Sequence, residues 1–172
     1  MNSRISNPVL IRPMQLADLD QVYTIDKLSF TIPWPIRAFQ YELNENPFSK
    51  SWVAEVNLSG QEPQVVGMTV IWLVIDETHI ATIAVHPDFR RQGIGAMLLE
   101  TILCEANSQE MQQVTLEVRA GNIGAKRLYQ TYGFEIVGER PRYYKDNNED
   151  ALIMTLSRIN ENYAYPKLTH KC

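Results

Sequence analysis

Residues 83–96 of this chain read Ile-Ala-Val-His-Pro-Asp-Phe-Arg-Arg-Gln-Gly-Ile-Gly-Ala. The segment begins at the end of an apolar run that indicates a strand. Beyond its second glycine, apolar side chains recur at helical spacing, at Leu98, Leu99, Ile102, Leu103 and Ala106. A strand that passes through two glycines into a helix brings backbone N–H groups and the positive end of the helix dipole together. The segment therefore predicts an anion-binding loop.

Two common phosphate-binding loops are excluded by the residues around these glycines. A Walker A loop needs Lys followed by Ser or Thr after its glycines, and this chain has neither there. A dinucleotide-binding fingerprint needs a third glycine at the position of Leu98. Arg90 and Arg91 add positive charge beside the loop. From these residues alone, a glycine-rich helix start with exposed arginines is an equally good interpretation.

The apolar pattern of the whole chain predicts one α/β domain with a mixed, mostly antiparallel sheet flanked by helices. Strands are expected at residues 2–12, 51–58, 64–75, 78–85, 113–119, 134–139 and 151–156. Helices are expected at residues 15–29 and 36–44, after Gly95, and between Asn122 and Gly133. The order is therefore β-α-α-β-β-β-α-β-α-β-β. We expect residues 1–157 to form the domain and residues 158–172 to form a poorly fixed C-terminal tail.

Composition narrows the class of protein. The net charge of −4 over 172 residues argues against a surface that binds nucleic acid by neutralising phosphates. The longest uncharged apolar run, residues 65–75, is too short to span a bilayer, so the expected compartment is the cytoplasm. Neither the two cysteines, Cys104 and Cys172, nor the three histidines show metal-ligand spacing. We expect no metal, and we expect Cys104 to be a buried thiol within a helix.

Five blocks of sequence occur together in this chain. They are Phe30-x-x-Pro33-Trp34, residues 83–95, Leu116-Glu117-Val118-Arg119-x-x-Asn122, Leu128-Tyr129-x-x-Tyr132-Gly133-Phe134, and Tyr143-Tyr144 with residues 149–154. The blocks resemble the GNAT acetyltransferase superfamily, and the resemblance covers about residues 9–156. More narrowly, the chain resembles the RimI-type N-alpha-acetyltransferases, which acetylate the N-terminal alanine of a small-subunit ribosomal protein. The resemblance implies the GNAT fold, acetyl-coenzyme A as co-substrate, and a ribosomal N-terminal peptide as partner.

The resemblance implies a coenzyme site on the glycine-containing loop of residues 90–96 and the strand before it. The backbone of Ile83, Ala84 and Val85 would bind the pantetheine arm as an added strand. Asn122 and Tyr129 are also expected to contact the coenzyme, although helix N-capping alone would explain Asn122. The pyrophosphate would lie on the residues of the loop, which are Arg90, Arg91, Gln92, Gly93, Ile94, Gly95 and Ala96.

Two residues are predicted to move protons. Glu117 is the expected general base, acting directly or through one water. The alternative interpretation is that Glu117 is an exposed strand carboxylate paired with Arg119. Tyr129 is the expected acid for the departing thiolate, in keeping with the family's tyrosine, and its alternative is a core aromatic. No cysteine lies near the five blocks, which favours direct attack by the amine over an acyl-enzyme.

The resemblance places the acceptor peptide between the loop of Phe30 and Trp34 and the hairpin of Tyr143 and Tyr144. The alternative for Phe30 and Trp34 is that they cap the core. Relatives often have a small residue at Arg142 and an Asn-Gly turn where this chain has Asn147-Asn148. Two other functions stay open, namely acetylation of a lysine side chain or small amine, and coenzyme A binding without catalysis. No direct contact with nucleic acid or a membrane is expected.

Overall fold

The computed structural model describes residues 8–57 and 62–159, and its elements follow the predicted order. Short 3₁₀ turns at Leu16–Asp18 and Pro87–Phe89 precede the first and third helices. The helices are Leu19–Ser29 (α1), Ile36–Asn44 (α2), Ile94–Ser108 (α3) and Ile123–Thr131 (α4). The strands are Val9–Pro13 (β1), Ser49–Val56 (β2), Gln64–Val74 (β3), Glu77–Val85 (β4), Gln113–Arg119 (β5), Glu135–Tyr144 (β6) and Glu149–Ser157 (β7).

The strands form one mixed sheet in the order β1-β2-β3-β4-β5-β7-β6. The pairs β1–β2, β2–β3, β5–β7 and β6–β7 are antiparallel, whereas β4 and β5 are parallel. The parallel ladder joins Glu77–His79 to Gln113–Thr115 and, within the described residues, goes no further. The predicted mixed, mostly antiparallel sheet is confirmed.

The chain forms two compact units. The first contains the described residues up to Trp72 together with Ala81–Thr101. Neighbouring strand residues such as Val53 and Ala54 point to opposite faces of its part of the sheet. Each face is covered by a separate apolar cluster. One face packs against α1 and α2 through Leu19, Val22, Ile25 and Phe39. The other face packs against the start of α3 through Ile94 and Leu98.

Gly67 sets how closely α3 approaches this sheet. A Cβ atom at Gly67 would lie 3.1 Å from both Ile94 Cγ2 and Leu98 Cδ1, and 3.3 Å from Ala54 Cβ. These distances are tighter than ordinary van der Waals contact, so any larger residue would push the helix away from the sheet. The absence of a side chain on β3 therefore helps to place the first turn of α3.

The second unit contains Leu73–Ile80 and the described residues from Ile102 onward. In β5, Val114, Leu116 and Val118 are buried, while Thr115, Glu117 and Arg119 lie half-buried on the opposite face. The unit's other buried side chains include three aromatic residues, Tyr129, Tyr132 and Phe134. The alternation predicted for β5 is confirmed, and it separates a core face from a polar face.

Several predicted boundaries are wrong, and one has a clear physical cause. The predicted strand 134–139 continues to Tyr144, through Pro141. Proline is tolerated there because β6 is the edge of the sheet, where a missing N–H breaks no ladder on the open side. The helix predicted from residue 15 begins with a 3₁₀ turn. The predicted strand residues 2–7 and 58, and tail residues 160–172, lie outside the described residues.

Cys104 is disulfide-bonded, so the expectation of a free buried thiol is wrong. Neighbouring sequence carries no sign of such a bond, because bond formation depends on three-dimensional distance. None of the described cysteines is free to act as a nucleophile. Across residues 8–57 and 62–159, no helix has both the length and the apolar character needed to cross a membrane.

Candidate active site

The loop before α3 has the backbone of an anion-binding site. Arg91 and Gly93 both adopt left-handed conformations, with φ values of 63° and 86°. Such residues turn successive N–H groups toward one point, and concavities of this kind bind anions. The first N–H groups of α3, those of Ile94, Gly95 and Ala96, have no acceptor within the helix. Backbone donors of this loop and this helix are therefore available to an anion such as a phosphate.

The two arginines of the loop differ in their surroundings. Arg90 Nε donates to the carbonyl oxygen of Val85 at 3.0 Å, and its Nη2 donates to Ser29 Oγ at 3.1 Å. This side chain joins the end of β4 to the last residue of α1, so its guanidinium is oriented by protein groups. The side chain of Arg91 is exposed beside the loop. Of the two predicted phosphate contacts, Arg90 is oriented by these hydrogen bonds and Arg91 is exposed.

The end of β4 offers backbone to a ligand. Ile83 and Val85 are half-buried and Ala84 is 7% exposed. These residues lie beyond His79, where the ladder to β5 ends. On the side of β4 where this ladder has ended, an extended ligand can pair with strand backbone. This placement suits the pantetheine contact that was predicted for Ile83–Val85.

Glu117 lies between two basic side chains of its own unit. His79 Nε2 is 3.4 Å from Glu117 Oε2, and Arg140 Nη2 is 3.2 Å from Glu117 Oε1. The Glu117 side chain is 18% exposed, so solvent still reaches the carboxylate. The alternative that pairs Glu117 with Arg119 is wrong, because Arg119 binds Asp146 and Glu149 instead. A carboxylate held by neighbours and open to water has the geometry of a general base.

Tyr129 and Asn122 stand at the two ends of α4. Tyr129 is 6% exposed, and its ring packs 5.7 Å from the ring of Phe134. Burial raises the pKa of Tyr129 well above its usual value, and Tyr144 raises it further, so the hydroxyl group stays protonated. Asn122 is the N-cap, and its side-chain oxygen accepts from the Ala125 N–H at 3.2 Å. The capping alternative for Asn122 is confirmed, while its coenzyme contact stays a prediction.

Trp34 and Phe30 occupy the loop between α1 and α2. The Trp34 ring lies 5.3 Å from the Phe39 ring and stacks 6.4 Å from the Trp72 ring. Trp72 Nε1 in turn donates to Glu42 Oε2 at 2.9 Å. Trp34 therefore anchors the loop on the core of the first unit. This agrees with the alternative interpretation, in which Trp34 caps the core. Phe30 differs, since 37% of it is exposed, and it remains available to an acceptor.

The hairpin of β6 and β7 presents the paired tyrosines. Between Arg140 and Tyr144, β6 advances four residues while its partner strand advances only two, from Ala151 to Glu149. This bulge lies next to Tyr143, which is 43% exposed and packs edge-on at 5.2 Å from Tyr144. Bulges commonly re-aim side chains near functional sites.

Arg142 and Asn148 have left-handed backbones in this hairpin. Arg142 has a φ of 51°, and its N–H donates to Asp150 Oδ1 at 2.6 Å. Asn148 has a φ of 56°. Asparagine tolerates this conformation better than most residues, so Asn147-Asn148 can form the turn that Asn-Gly forms elsewhere.

Arg119 links β5 to this hairpin. Its Nη1 donates to Glu149 Oε2 and Asn147 Oδ1 at 3.1 and 3.2 Å, and its Nη2 donates to both oxygens of Asp146 at 3.0 Å. The guanidinium carbon also lies 3.9 Å from the centre of the Tyr144 ring. These acidic partners raise the pKa of Arg119 against the effect of burial. One side chain thus fixes both the turn and a predicted substrate-binding tyrosine.

Replacing Arg119 with Gln is expected to loosen the hairpin, because two carboxylates would lose their shared cation. We expect a loss of about 1–3 kcal/mol in the free energy of unfolding, the usual size for hydrogen bonds to charged groups. The KM for acceptor should also rise severalfold. Denaturant titration and steady-state kinetics measure the two effects. Arg127→Gln, an exposed arginine on α4, is the matched control, and equal behaviour of both variants would contradict the linking role.

His79 and Arg140 are site residues that the sequence analysis missed. Both contact Glu117, yet they lie on other strands, so no spacing in the chain connects them. One signal was available for His79. If β4 and β5 are neighbouring parallel strands, the polar residues on one face of each become candidates for contact. Nothing comparable points to Arg140, because β6 was predicted to end before it. Within the described ranges, no group of three potential ligands could hold a metal ion.

Comparison with known proteins decides the family. A family model described as the acetyltransferase (GNAT) family matches residues 19–134. The chain belongs to the GNAT acetyltransferase family. A putative ribosomal protein bS18-alanine N-acetyltransferase of Bacillus subtilis (strain 168) is 38% identical over 151 residues, covering 88% of this chain and 96% of the relative. The ribosomal protein bS18-alanine N-acetyltransferase of Escherichia coli (strain K12) is 32% identical, covering 85% and 95%.

Two solved structures resemble the fold of this chain. The crystal structure of the ribosomal-protein-S18-alanine N-acetyltransferase from Escherichia coli has a TM-score of 0.76 at 31% identity, covering 88% of this chain and 94% of that one. Ard1 from Thermoplasma volcanium has a TM-score of 0.77 at 33% identity, covering 87% and 97%. The predicted GNAT family, fold and N-acetyltransferase class are confirmed. The GNAT family match contains the anion-binding loop, Glu117 and Tyr129, and ends before Tyr143 and Tyr144.

Proposed function

We propose that this protein transfers acetyl from acetyl-coenzyme A to the N-terminal alanine of ribosomal protein bS18. The chemistry rests on one observation above all, the half-buried Glu117 carboxylate held between His79 and Arg140. The acceptor rests on the two alanine N-acetyltransferases that resemble this chain along nearly their whole length. Acetylation of lysine or of a small amine is the alternative.

The proposed coenzyme contacts follow from the backbone of two segments. The left-handed residues Arg91 and Gly93 and the first turn of α3 would bind the pyrophosphate. The backbone of Ile83–Val85 would pair with the pantetheine arm. Arg90 would steady both segments, because it already joins the carbonyl of Val85 to Ser29.

In the proposed reaction the amine nitrogen forms a bond to the acetyl carbonyl carbon as the carbon–sulfur bond breaks. Glu117 accepts the amine proton, directly or through one water. An N-terminal amine has a pKa of about 7.7–8.0, so part of it is already neutral near pH 7. A lysine amine, with a pKa of about 10.4, is almost entirely protonated there and needs a stronger base. The half-buried Glu117 carboxylate therefore suits an N-terminal acceptor better than a lysine acceptor.

The departing sulfur needs a hydrogen-bond donor and finally a proton. Tyr129 would supply the donor, since burial keeps its hydroxyl group protonated. One proton leaves the amine and one proton reaches the thiolate, so the overall reaction of the neutral amine neither consumes nor releases a proton. No cysteine of the described residues is free, so the amine would attack the thioester directly.

The proposed acceptor contacts are Phe30 and Trp34 in the first unit, and Tyr143 and Tyr144 in the second. Aromatic side chains with polar tips can pack a small first residue while they hydrogen-bond a peptide backbone. Residues 1–157 would form the catalytic domain, with 158–172 as a tail. Cytoplasmic location, and action without direct nucleic-acid or membrane contact, complete the proposal.

The experiment is acetylation of a peptide that carries the N-terminus of bS18 and one internal lysine. Position-resolved mass spectrometry should find acetyl on the α-amine, with one free thiol released per acetyl transferred. The matched control is the same peptide with a blocked N-terminus, which should remain unmodified. Acetyl on lysine with the α-amine untouched would select the alternative. No modification at saturating enzyme would refute both peptide acceptors.

A further inference from the structure

Asp26 on α1 is a buried carboxyl group that the proposed chemistry does not use. The residue is 0% exposed and lies among the apolar side chains of the first unit, which include its helix neighbours Val22 and Ile25. Its Oδ2 accepts a hydrogen bond from the Trp34 N–H at 2.7 Å. Its Oδ1 is buried and has no hydrogen-bond partner among the described residues.

The same residue binds both ends of one loop segment. The main-chain oxygen of Asp26 accepts from the Phe30 N–H at 2.9 Å, which ends the helix. Its side chain accepts from the N–H of Trp34, four residues later. The backbone between Phe30 and Trp34 is therefore closed into a short arch by a single residue. Ile32, at the middle of this arch, is 63% exposed.

A purely structural explanation of Asp26 is poor. Burial raises the pKa of Asp26 to about 6, against the lowering effect of the Trp34 hydrogen bond. A carboxyl group that is disfavoured in its charged form and lacks a partner for one oxygen destabilises the fold relative to an apolar residue of similar size. Trp34 is already anchored through its ring by Phe39 and Trp72. What the carboxyl group adds is control over the path of the backbone.

We propose that Asp26 is a positioning residue for the acceptor, which fixes the Phe30–Trp34 arch in the shape that receives the peptide N-terminus. This inference rests on the proposed function, because it takes the arch as one wall of the peptide site. Asp26 itself is buried and touches no substrate. Its effect reaches the peptide through the position of Phe30 and the residues that follow it.

Asp26→Leu tests the proposal, since leucine keeps the branched shape and cannot accept a hydrogen bond. We expect the KM for the bS18 peptide to rise at least about tenfold, the effect of losing one hydrogen bond to a charged group. The KM for acetyl-coenzyme A should change less than about twofold, because the hydrogen bond from Arg90 of the coenzyme loop to α1 goes to Ser29. Asp26→Asn keeps an oxygen for the Trp34 N–H and should restore most of the peptide affinity. Asp20→Asn, an exposed carboxylate on the same helix, should behave as wild type.

Hydrogen–deuterium exchange of residues 30–36 supplies a readout that needs no activity. Asp26→Leu should lose protection at the Trp34 amide, and Asp26→Asn should keep it. Suppose that wild type acetylates no peptide while the variants still show the expected difference in Trp34 amide protection. That result would refute the proposed function and would still support the hydrogen bond from Asp26 as what fixes the arch. Equal rises in both KM values, or an Asn variant no better than Leu, would overturn the positioning role. Should Asp26→Leu not fold, Asp26→Ala takes its place in both measurements.

Discussion

Glu117→Gln is expected to lower kcat for peptide acetylation about a hundredfold, near the lower end of what a general base contributes. Glutamine preserves the size of the side chain and keeps one acceptor oxygen for either His79 or Arg140, but it cannot take a proton. The KM for acetyl-coenzyme A should stay close to that of wild type. The effect would therefore isolate proton transfer from binding.

The pH dependence of this variant gives a sharper test. Without a base, the rate should follow the fraction of neutral amine, so the defect should shrink as the pH rises past about 8, the pKa of an N-terminal amine. Steady-state rates between pH 6 and 9 measure this trend. Glu135→Gln, an exposed glutamate on β6, is the control. A kcat equal to that of wild type across this range would remove Glu117 from the role of base.

Gly93→Val is expected to raise the KM for acetyl-coenzyme A about tenfold or more. Gly93 has a φ of 86°, a conformation that costs a residue with a Cβ atom about 1–2 kcal/mol, and more for a β-branched one. A Cβ atom there would meet nothing within 4 Å, so the effect would come from the backbone and not from a clash. Valine would move φ away from this value and turn the N–H groups of the loop away from a bound anion.

Gly124→Val is the matched control for this change. Gly124 lies in α4, also has nothing within 4 Å of an added Cβ atom, and has no positive φ. Isothermal titration with coenzyme A would compare the two variants directly. Affinity unchanged in Gly93→Val, or lost equally in both variants, would show that the left-handed backbone of the loop does not determine coenzyme binding.

The parts of the fold that depend on local pattern were predictable from the sequence. Two glycines after a strand indicated the loop, and one-sided apolar spacing placed α3 after it. The alternation of Val114, Leu116 and Val118 placed β5 at its observed bounds. Asn122 was expected as a helix N-cap, and its side chain makes that hydrogen bond. In each case the cause lies within a few residues of its effect.

The parts that depend on neighbouring strands were not predictable. The polar face of β5 suggested that Glu117 pairs with Arg119, two residues away on the same strand. Residues two apart on a strand are separated by about 6.6 Å, and closer partners on other elements bind each of them instead. The extension of β6 beyond Pro141 was missed for a related reason. Whether proline is tolerated depends on the edge position of the strand, which only the sheet order reveals.

The bulged end of β6 also bears on what the open edge of the sheet can bind. An open sheet edge presents unpaired N–H and C=O groups that can template a strand from another molecule, which is a common route to aggregation. Here the edge strand contains Pro141, which has no N–H to offer, between the charged side chains of Arg140 and Arg142. The register shift between Arg140 and Tyr144 also interrupts the regular spacing that an added strand would need. The irregularity that displays the tyrosines thus protects the same edge from intermolecular β-pairing.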